Sequence, residues 1–187
     1  MTIEWNAHRF SGGVLVLDLI NTVIYRDDPA RRMDRLESLG QVDRFANAAA
    51  TFRRPELGAA LQFQNISEAQ VDILIKLRES ADNYFRPLVR KGNAGPKGLA
   101  NLLMNLAVAV RDSEEFSFVR QVALSTLRHM GEPHMSKTRI CPNCHWLFLD
   151  RSKNSSRIWC DMSVCGNRHK ARLNYVRQRT AELSVEQ

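Results

Sequence analysis

The sequence predicts a mainly α-helical chain that closes in a small cysteine-bearing module. Three observations carry that prediction. Apolar residues recur at helical spacing over several stretches between Val14 and Met130. The four cysteines, Cys141, Cys144, Cys160 and Cys165, all fall within 25 residues. Charge is also segregated: Lys137 to Arg179 holds ten Lys/Arg against two acids, while the rest of the 187-residue chain holds 17 basic and 18 acidic residues. The net charge of +7 therefore belongs to the cysteine-bearing segment.

The elements follow in order. The residues through Gly12-Gly13 read as an irregular lead-in. In VLVLDLINTVIYR the period is ambiguous: Val14 to Leu17 suits a strand, while Leu15, Leu19 and Val23 suit a helix. The helix is the favoured reading, and it is expected to be buried. On it Asp18, Asn21 and Thr22 share one face, with Arg26 one turn beyond, either as a buried polar cluster or as the floor of a small-ligand pocket. Arg31 to Arg35 reads as a charged connection. A helix over Leu39–Ala50 places Val42, Phe45, Ala46 and Ala49 on one side, and Pro55 opens one further turn. Ser67 is a good N-cap, and Val71, Leu74, Ile75, Ala81 and Phe85 trace the helix behind it. Pro87 is expected to kink or end that helix. Pro96 to Arg111 is apolar nearly all round, which predicts a central, buried helix. Another is expected from about Glu114 to Met130, with Phe118, Val122, Leu124 and Leu127 as its apolar positions. His8, His129 and His134 sit in no motif. The expected division is a helical domain over residues 1–131, a linker over 132–137 and a small module over 138–187.

The cysteine spacing is C-x2-C, fifteen residues, then C-x4-C, the pattern of a structural zinc site. Two intervening residues let a knuckle turn aim both thiolates at one ion, and fifteen suffice for a hairpin that returns the chain to it. Four protein ligands complete the tetrahedron, at roughly 2.3 Å from each sulfur, and leave no open position. One structural Zn2+ on Cys141, Cys144, Cys160 and Cys165 is therefore expected. A pair of disulfides fits an intracellular chain poorly, and a redox C-x-x-C would not need the second pair. His145 and His169 stand near as substitute ligands. Arg139-Ile140 and Leu147-Phe148-Leu149 read as short strands beside the knuckle, and Ile158-Trp159 as a third strand or the approach to Cys160. A helix from about Ser163 to Leu183 then puts the second cysteine pair at its N-terminus, a treble-clef-like arrangement.

That helix has a basic face. At 100° per residue, Arg168, Arg172, Tyr175 and Arg179 fall within about 60° of one another. Leu173, Val176 and Leu183 form an apolar stripe assigned to packing, flanked by Lys170 and Arg177. Arg151, Lys153 and Arg157 in the hairpin add to the basic surface. An Arg stripe beside an aromatic suits a phosphate backbone. Counter-charge to a four-thiolate zinc site, formally about −2, would occupy only a few of these cations. Trp146 and Trp159 are expected in the module's core.

No stretch approaches the ~18 apolar residues of a membrane helix. Val14–Ile20 is short, interrupted by Asp18 and without a basic leader, so neither a signal peptide nor a membrane partner is expected, and the location implied is the cytoplasm. No nucleophile motif, acid–base pair or phosphate loop is visible, and an enzyme is not expected.

CPNC, the run FLDRS at 148–152, RIWC at 157–160 and C165-G166-N167-R168 resemble the CGNR zinc finger. The upstream LVLDLINTV resembles the start of the ABATE domain, found with that finger in bacterial proteins described as stress-induced transcription regulators. The resemblance implies zinc at the four cysteines and nucleic-acid binding by the finger. The reading it favours is a DNA-binding regulator whose helical part senses a ligand or partner, with a homodimer as the form that suits a short basic module on a specific DNA site. An RNA-binding protein and a protein-interaction adaptor are the alternatives.

Overall fold

The computed structural model describes residues 3–58, 62–63, 65–131 and 133–185, with side chains described through Thr180. Its elements are α1 (Leu15–Ile20), β1 (Val23–Ile24), β2 (Met33–Asp34), α2 (Leu39–Phe52), α3 (Arg54–Leu57), α4 (Glu68–Lys91), α5 (Gly95–Arg111), α6 (Phe118–Met130), β3 (Thr138–Ile140), β4 (Leu147–Leu149) and α7 (Asn167–Val185). The strands form two antiparallel pairs, β1 with β2 and β3 with β4.

The favoured helical reading of VLVLDLI holds, and α1 is buried at every residue. Its N-terminal amides point inward and find partners from distant elements. Leu15 N donates to Glu56 Oε2 at 2.8 Å, and Val16 N to Ser125 Oγ at 3.1 Å. Those bonds replace the missing cap and satisfy donors that burial would otherwise penalise.

Helix α4 starts where Ser67 predicts it, in a full capping box. Ser67 Oγ accepts from Gln70 N at 3.3 Å, and Gln70 Oε1 accepts from Ser67 N at 3.0 Å. Pro87 does not end it; the helix runs on to Lys91 and stops at Gly92, whose φ of 71° is the left-handed cap. Pro87 lacks the N–H that would have bonded the Asn83 carbonyl. A β-carbon at Gly98 of α5 would stand 3.6 Å from that same oxygen, so the two helices approach closely there.

Three expectations need correction. Helix α5 is not buried all round: Leu102, Leu106 and Ala109 form one buried stripe, while Leu99, Leu103 and Met104 are exposed. Its high apolar content exceeds the surface available to cover it. Helix α6 begins at Phe118, later than Glu114, because Ser117 Oγ accepts from Arg120 N and caps it there. Its Leu127 is exposed, and the buried face runs instead through Ser125, Thr126 and His129. The supposed connection at Arg31–Arg35 contains β2, in register Val23↔Asp34 and Ile24↔Met33.

The β3–β4 hairpin pairs Thr138 with Leu149 and Ile140 with Leu147. Strand alternation gives β4 two faces. Leu147 and Leu149 enter the main core, whereas Phe148 packs with Trp146 and the cysteines. The backbone of β4 is bonded from the helical side as well. Leu149 N donates to Gly12 O at 2.8 Å, and Asn21 mimics a strand by bonding both the amide and the carbonyl of Leu147, at 3.0 and 2.8 Å. Gly13, at φ 91°, permits this approach, since a β-carbon there would lie 3.3 Å from Leu149 Cβ. Packing is thus continuous across the sequence boundary near residues 131–138.

Candidate metal centre and the helix it anchors

Each cysteine is placed by local hydrogen bonding. Cys141 follows β3, with its amide bonded to Trp146 O and its carbonyl to His145 N, both at 2.9 Å. That knuckle turn needs a left-handed residue, and His145 supplies it at φ 60°. The chain then loops through residues 151–157 around Asp150. This buried carboxylate accepts from Ser152 N (2.9 Å), Ser152 Oγ (2.7 Å) and Arg157 N (3.0 Å). The Ser152 hydroxyl above all, with the two amides, holds the Asp150 carboxyl below the usual range.

Asp161 organises the second pair. Its Oδ1 accepts from Ser163 N (2.8 Å), Ser163 Oγ (2.7 Å) and Val164 N (3.3 Å), which winds the wide turn Met162–Gly166 that carries Cys165. Its other oxygen meets His8 Nδ1 at 2.8 Å. Burial works against ionising Asp161, but the Ser163 and His8 hydrogen bonds prevail and its pKa lies below normal. Gly166 sits in close quarters, because a β-carbon there would displace the end of the exposed Met162 side chain and press on Trp159. Asn167 Nδ2 closes the turn onto Ser163 O at 2.9 Å.

The result is a cluster in which all four Sγ atoms lie within 4.8 Å of one another, with Cys141, Cys160 and Cys165 fully buried. Cys144 and Cys160 are 3.4 Å apart, and Cys160 and Cys165 are 3.6 Å apart. Disulfides require about 2.05 Å, and the cysteines are free. Sulfurs at about 2.3 Å from one tetrahedral ion stand about 3.8 Å apart, so the cluster has the right size for zinc. Hydrogen bonding to Cys141 and Cys160, then burial, pushes the Cys144 thiol up. Thiolates this close repel one another, and a divalent cation is what allows all four to ionise.

A closed set of four sulfurs, held by a hairpin knuckle and a helix-initiating turn, defines a structural zinc finger with one Zn2+. Its kind is also recognised by comparison: residues 137–178 match the CGNR zinc finger family. No curated protein and no solved structure matches the chain.

The basic residues separate into groups. Arg168, Lys170, Arg172, Tyr175 and Arg179 lie on α7, where every described side chain from Asn167 to Thr180 is exposed. Arg179 reaches back to Tyr175, with Nη1 at 3.4 Å from the phenol oxygen. Lys153 is exposed on the loop. Arg151 lines a cavity of about 190 Å³ with His129 and His134. Arg157 is engaged within the finger: it donates to the carbonyls of Trp159 (2.8 Å) and Cys160, and its guanidinium stands over Phe148 at 5.1 Å. It therefore braces the second cysteine pair. The apolar stripe of α7 is not packed as expected, since Leu173 and Val176 are about half exposed and Leu183 lies outside the described side chains. Ile158-Trp159 forms no strand and serves as the approach to Cys160. Trp146 is 5% exposed, and Trp159 is half-buried with its ring centroid 4.8 Å from that of His169.

Asp18, Asn21, Thr22 and Arg26 are each taken up by hydrogen bonds within the fold. Asp18 is clamped by Gly12 N and Arg53, and its burial, offset in part by Arg53, raises its pKa to about 6. Asn21 holds β4 as described. Thr22 Oγ1 donates to Leu19 O and accepts from Arg78 Nη1, and Arg26 pairs with Glu79 at 2.7 Å. These four tie elements together. The sequence reading missed His8, whose bond to Asp161 spans 153 positions, and Arg9 and Arg35, whose buried Nε atoms have no hydrogen-bond partner. No periodicity or spacing marks such pairs.

Proposed function

We propose that this protein is a DNA-binding regulator whose zinc-anchored helix α7 lies against the phosphates of a duplex. The carrying observation is a 19-residue helix with every described side chain exposed, bearing Arg168, Lys170, Arg172, Arg177 and Arg179 with no acid among its described side chains. Most helical stability in proteins comes from tertiary packing, and past its first turn the described side chains of α7 are exposed. A polyanion supplies both the counter-charge and the surface, and the zinc turn fixes the angle at which the helix leaves the body. The metal's role is structural, and the protein binds rather than turns over its partner. The helical part takes the sensing role that the ABATE resemblance implies, in a stress-responsive cytoplasmic regulator.

The test is fluorescence anisotropy with zinc-loaded protein over a salt series, on duplex DNA and on single-stranded RNA. The log–log slope on duplex is expected to be about −0.9 for each phosphate neutralised. Arg172→Glu with Arg179→Glu is expected to abolish it. Single-stranded RNA is disfavoured as the main target because Trp146, one of the two candidate stacking rings, is buried. The exposed Leu173 and Val176 favour one other reading, docking onto a protein or a second copy. Flat binding to both nucleic acids would leave that reading in place and end the DNA proposal.

A further inference from the structure

Between the N-terminal turn, the β1–β2 region and the CPNC knuckle lies a cavity of about 220 Å³. Its walls carry three cations, Arg9, Arg35 and Arg168, and three rings, His8, Tyr25 and Trp146. Among the described residues no carboxylate lines it.

Arg35 is the unusual member. It is 9% exposed, and among the described residues neither it nor Arg9 makes an ion pair or a side-chain hydrogen bond; the Nε of each is buried without a partner. Other buried arginines are neutralised. Arg78 Nη2 meets Asp34 Oδ2 at 2.6 Å, and Arg86 Nε meets Asp82 Oδ1 at 2.9 Å. Burying an unpaired guanidinium is costly, so a fold that retains one needs a reason. Burial, then the charge of Arg9, brings the pKa of Arg35 down to about 10. The Arg35 guanidinium stands 5.2 Å from the Trp146 ring, which stacks on His8 at 5.3 Å.

The geometry points to this cavity as the binding site of a small organic anion, its carboxylate or phosphate held by Arg9 and Arg35 and its flat body against the exposed ring of Tyr25. Planar guanidiniums match such oxyanions in bidentate fashion, and the aromatic wall offers a stacking face. Cys144 also lines the cavity, so part of the arginine charge offsets the zinc thiolates, formally about −2. Three cations converge here against that formal −2, in which the zinc is already counted, so the cavity keeps a net positive charge for an anion to meet. Arg168 opens α7, so an anion that draws it inward acts directly on the proposed nucleic-acid helix. As an effector site the cavity rests on the regulator reading; as an anion site it does not.

The experiment is calorimetric titration of the zinc-loaded full chain, without nucleic acid, with benzoate, phenyl phosphate, inorganic phosphate and the neutral benzamide, accompanied by tryptophan fluorescence. Saturable one-to-one binding of an aromatic anion but not benzamide is expected. Arg35→Met and Arg9→Met should each weaken it about tenfold or more, the scale of one lost charge-assisted hydrogen bond. Both variants should keep one zinc per chain, and Arg35→Met should melt no lower than the wild type, because it removes an unpaired buried charge. Absence of saturable anion binding, or binding unchanged in both variants, overturns the proposal. So does loss of zinc in both variants, which would make the arginines counter-charge alone, or binding confined to oligonucleotides. Binding that survives Arg172→Glu/Arg179→Glu supports the cavity even where the DNA reading fails.

Discussion

Helices α1 and α7 are opposites. The first has six residues, all buried, and its amides and polar side chains are bonded to Glu56, Ser125, Gly12, Arg53 and β4. The second has 19 residues and no described side chain buried. A six-residue helix does not persist alone, so α1 exists because everything around it requires it. Helix α7 is anchored at its start, by the turn that carries Cys165 and Gly166, and beyond that its described side chains, through Thr180, are exposed. Rigidity in this molecule therefore follows attachment, not helix length. Zinc removal should be the largest test of that contrast. Structural zinc in isolated fingers contributes about 10–16 kcal/mol of apparent folding free energy, as much as a whole domain's typical stability of about 5–15 kcal/mol. Since Leu147 and Leu149 belong to the main core, chelation should melt α7 and also lower the main transition, read by circular dichroism and calorimetry with and without chelator. A helical core that keeps its melting temperature after chelation would show that the shared core is not energetically shared.

The next effect is smaller and tests the joint itself. Leu147 is fully buried between the hairpin and α1, and Leu147→Ala should cost about 2–5 kcal/mol, as core truncations do. Asn21→Ala removes both bonds to the Leu147 backbone and leaves a buried amide and carbonyl unpaired, at about 1–3 kcal/mol for each. Chemical denaturation of the zinc-loaded variants gives both values. If Asn21→Ala were neutral, the seam would be held by packing alone, and the strand-like role of Asn21 would fall.

Much of this was legible in the sequence, and the reason differs by feature. The cysteine site was readable because its ligands come in two local pairs whose spacing is dictated by one small ion. The start of α4 was readable because Ser67 and Gln70 act across three residues. The surfaces of α5 and α7 were misjudged because periodicity shows which residues share a face, not whether another element arrives to cover it; Leu103 and Val176 are apolar and uncovered. The partners of Asp18, Thr22 and Arg26 lie 35, 56 and 53 positions away. They became visible only once α1, α2 and α4 were packed. Arg35 was hidden for a further reason: its meaning lies in a missing partner, and a charged stretch such as RRMDR gives no sign that one of its arginines is buried.

The smallest expected effect is the most discriminating. Leu173→Ala with Val176→Ala removes two branched aliphatic side chains from α7, and both residues are about half exposed with no described partner in the fold. Surface substitutions away from special features change stability by less than about 0.5 kcal/mol, and alanine's higher helix propensity offsets part of any loss. The double variant should therefore unfold at the same denaturant concentration as the wild type, with the same zinc content. A dilution series by light scattering or sedimentation completes the measurement. If destabilisation exceeds 1 kcal/mol and grows at higher protein concentration, the stripe is buried against a second copy in solution and α7 is not free. If neither stability nor mass changes, α7 is a solvated arm held by its zinc-bound turn, and its arginines are available to an anionic partner.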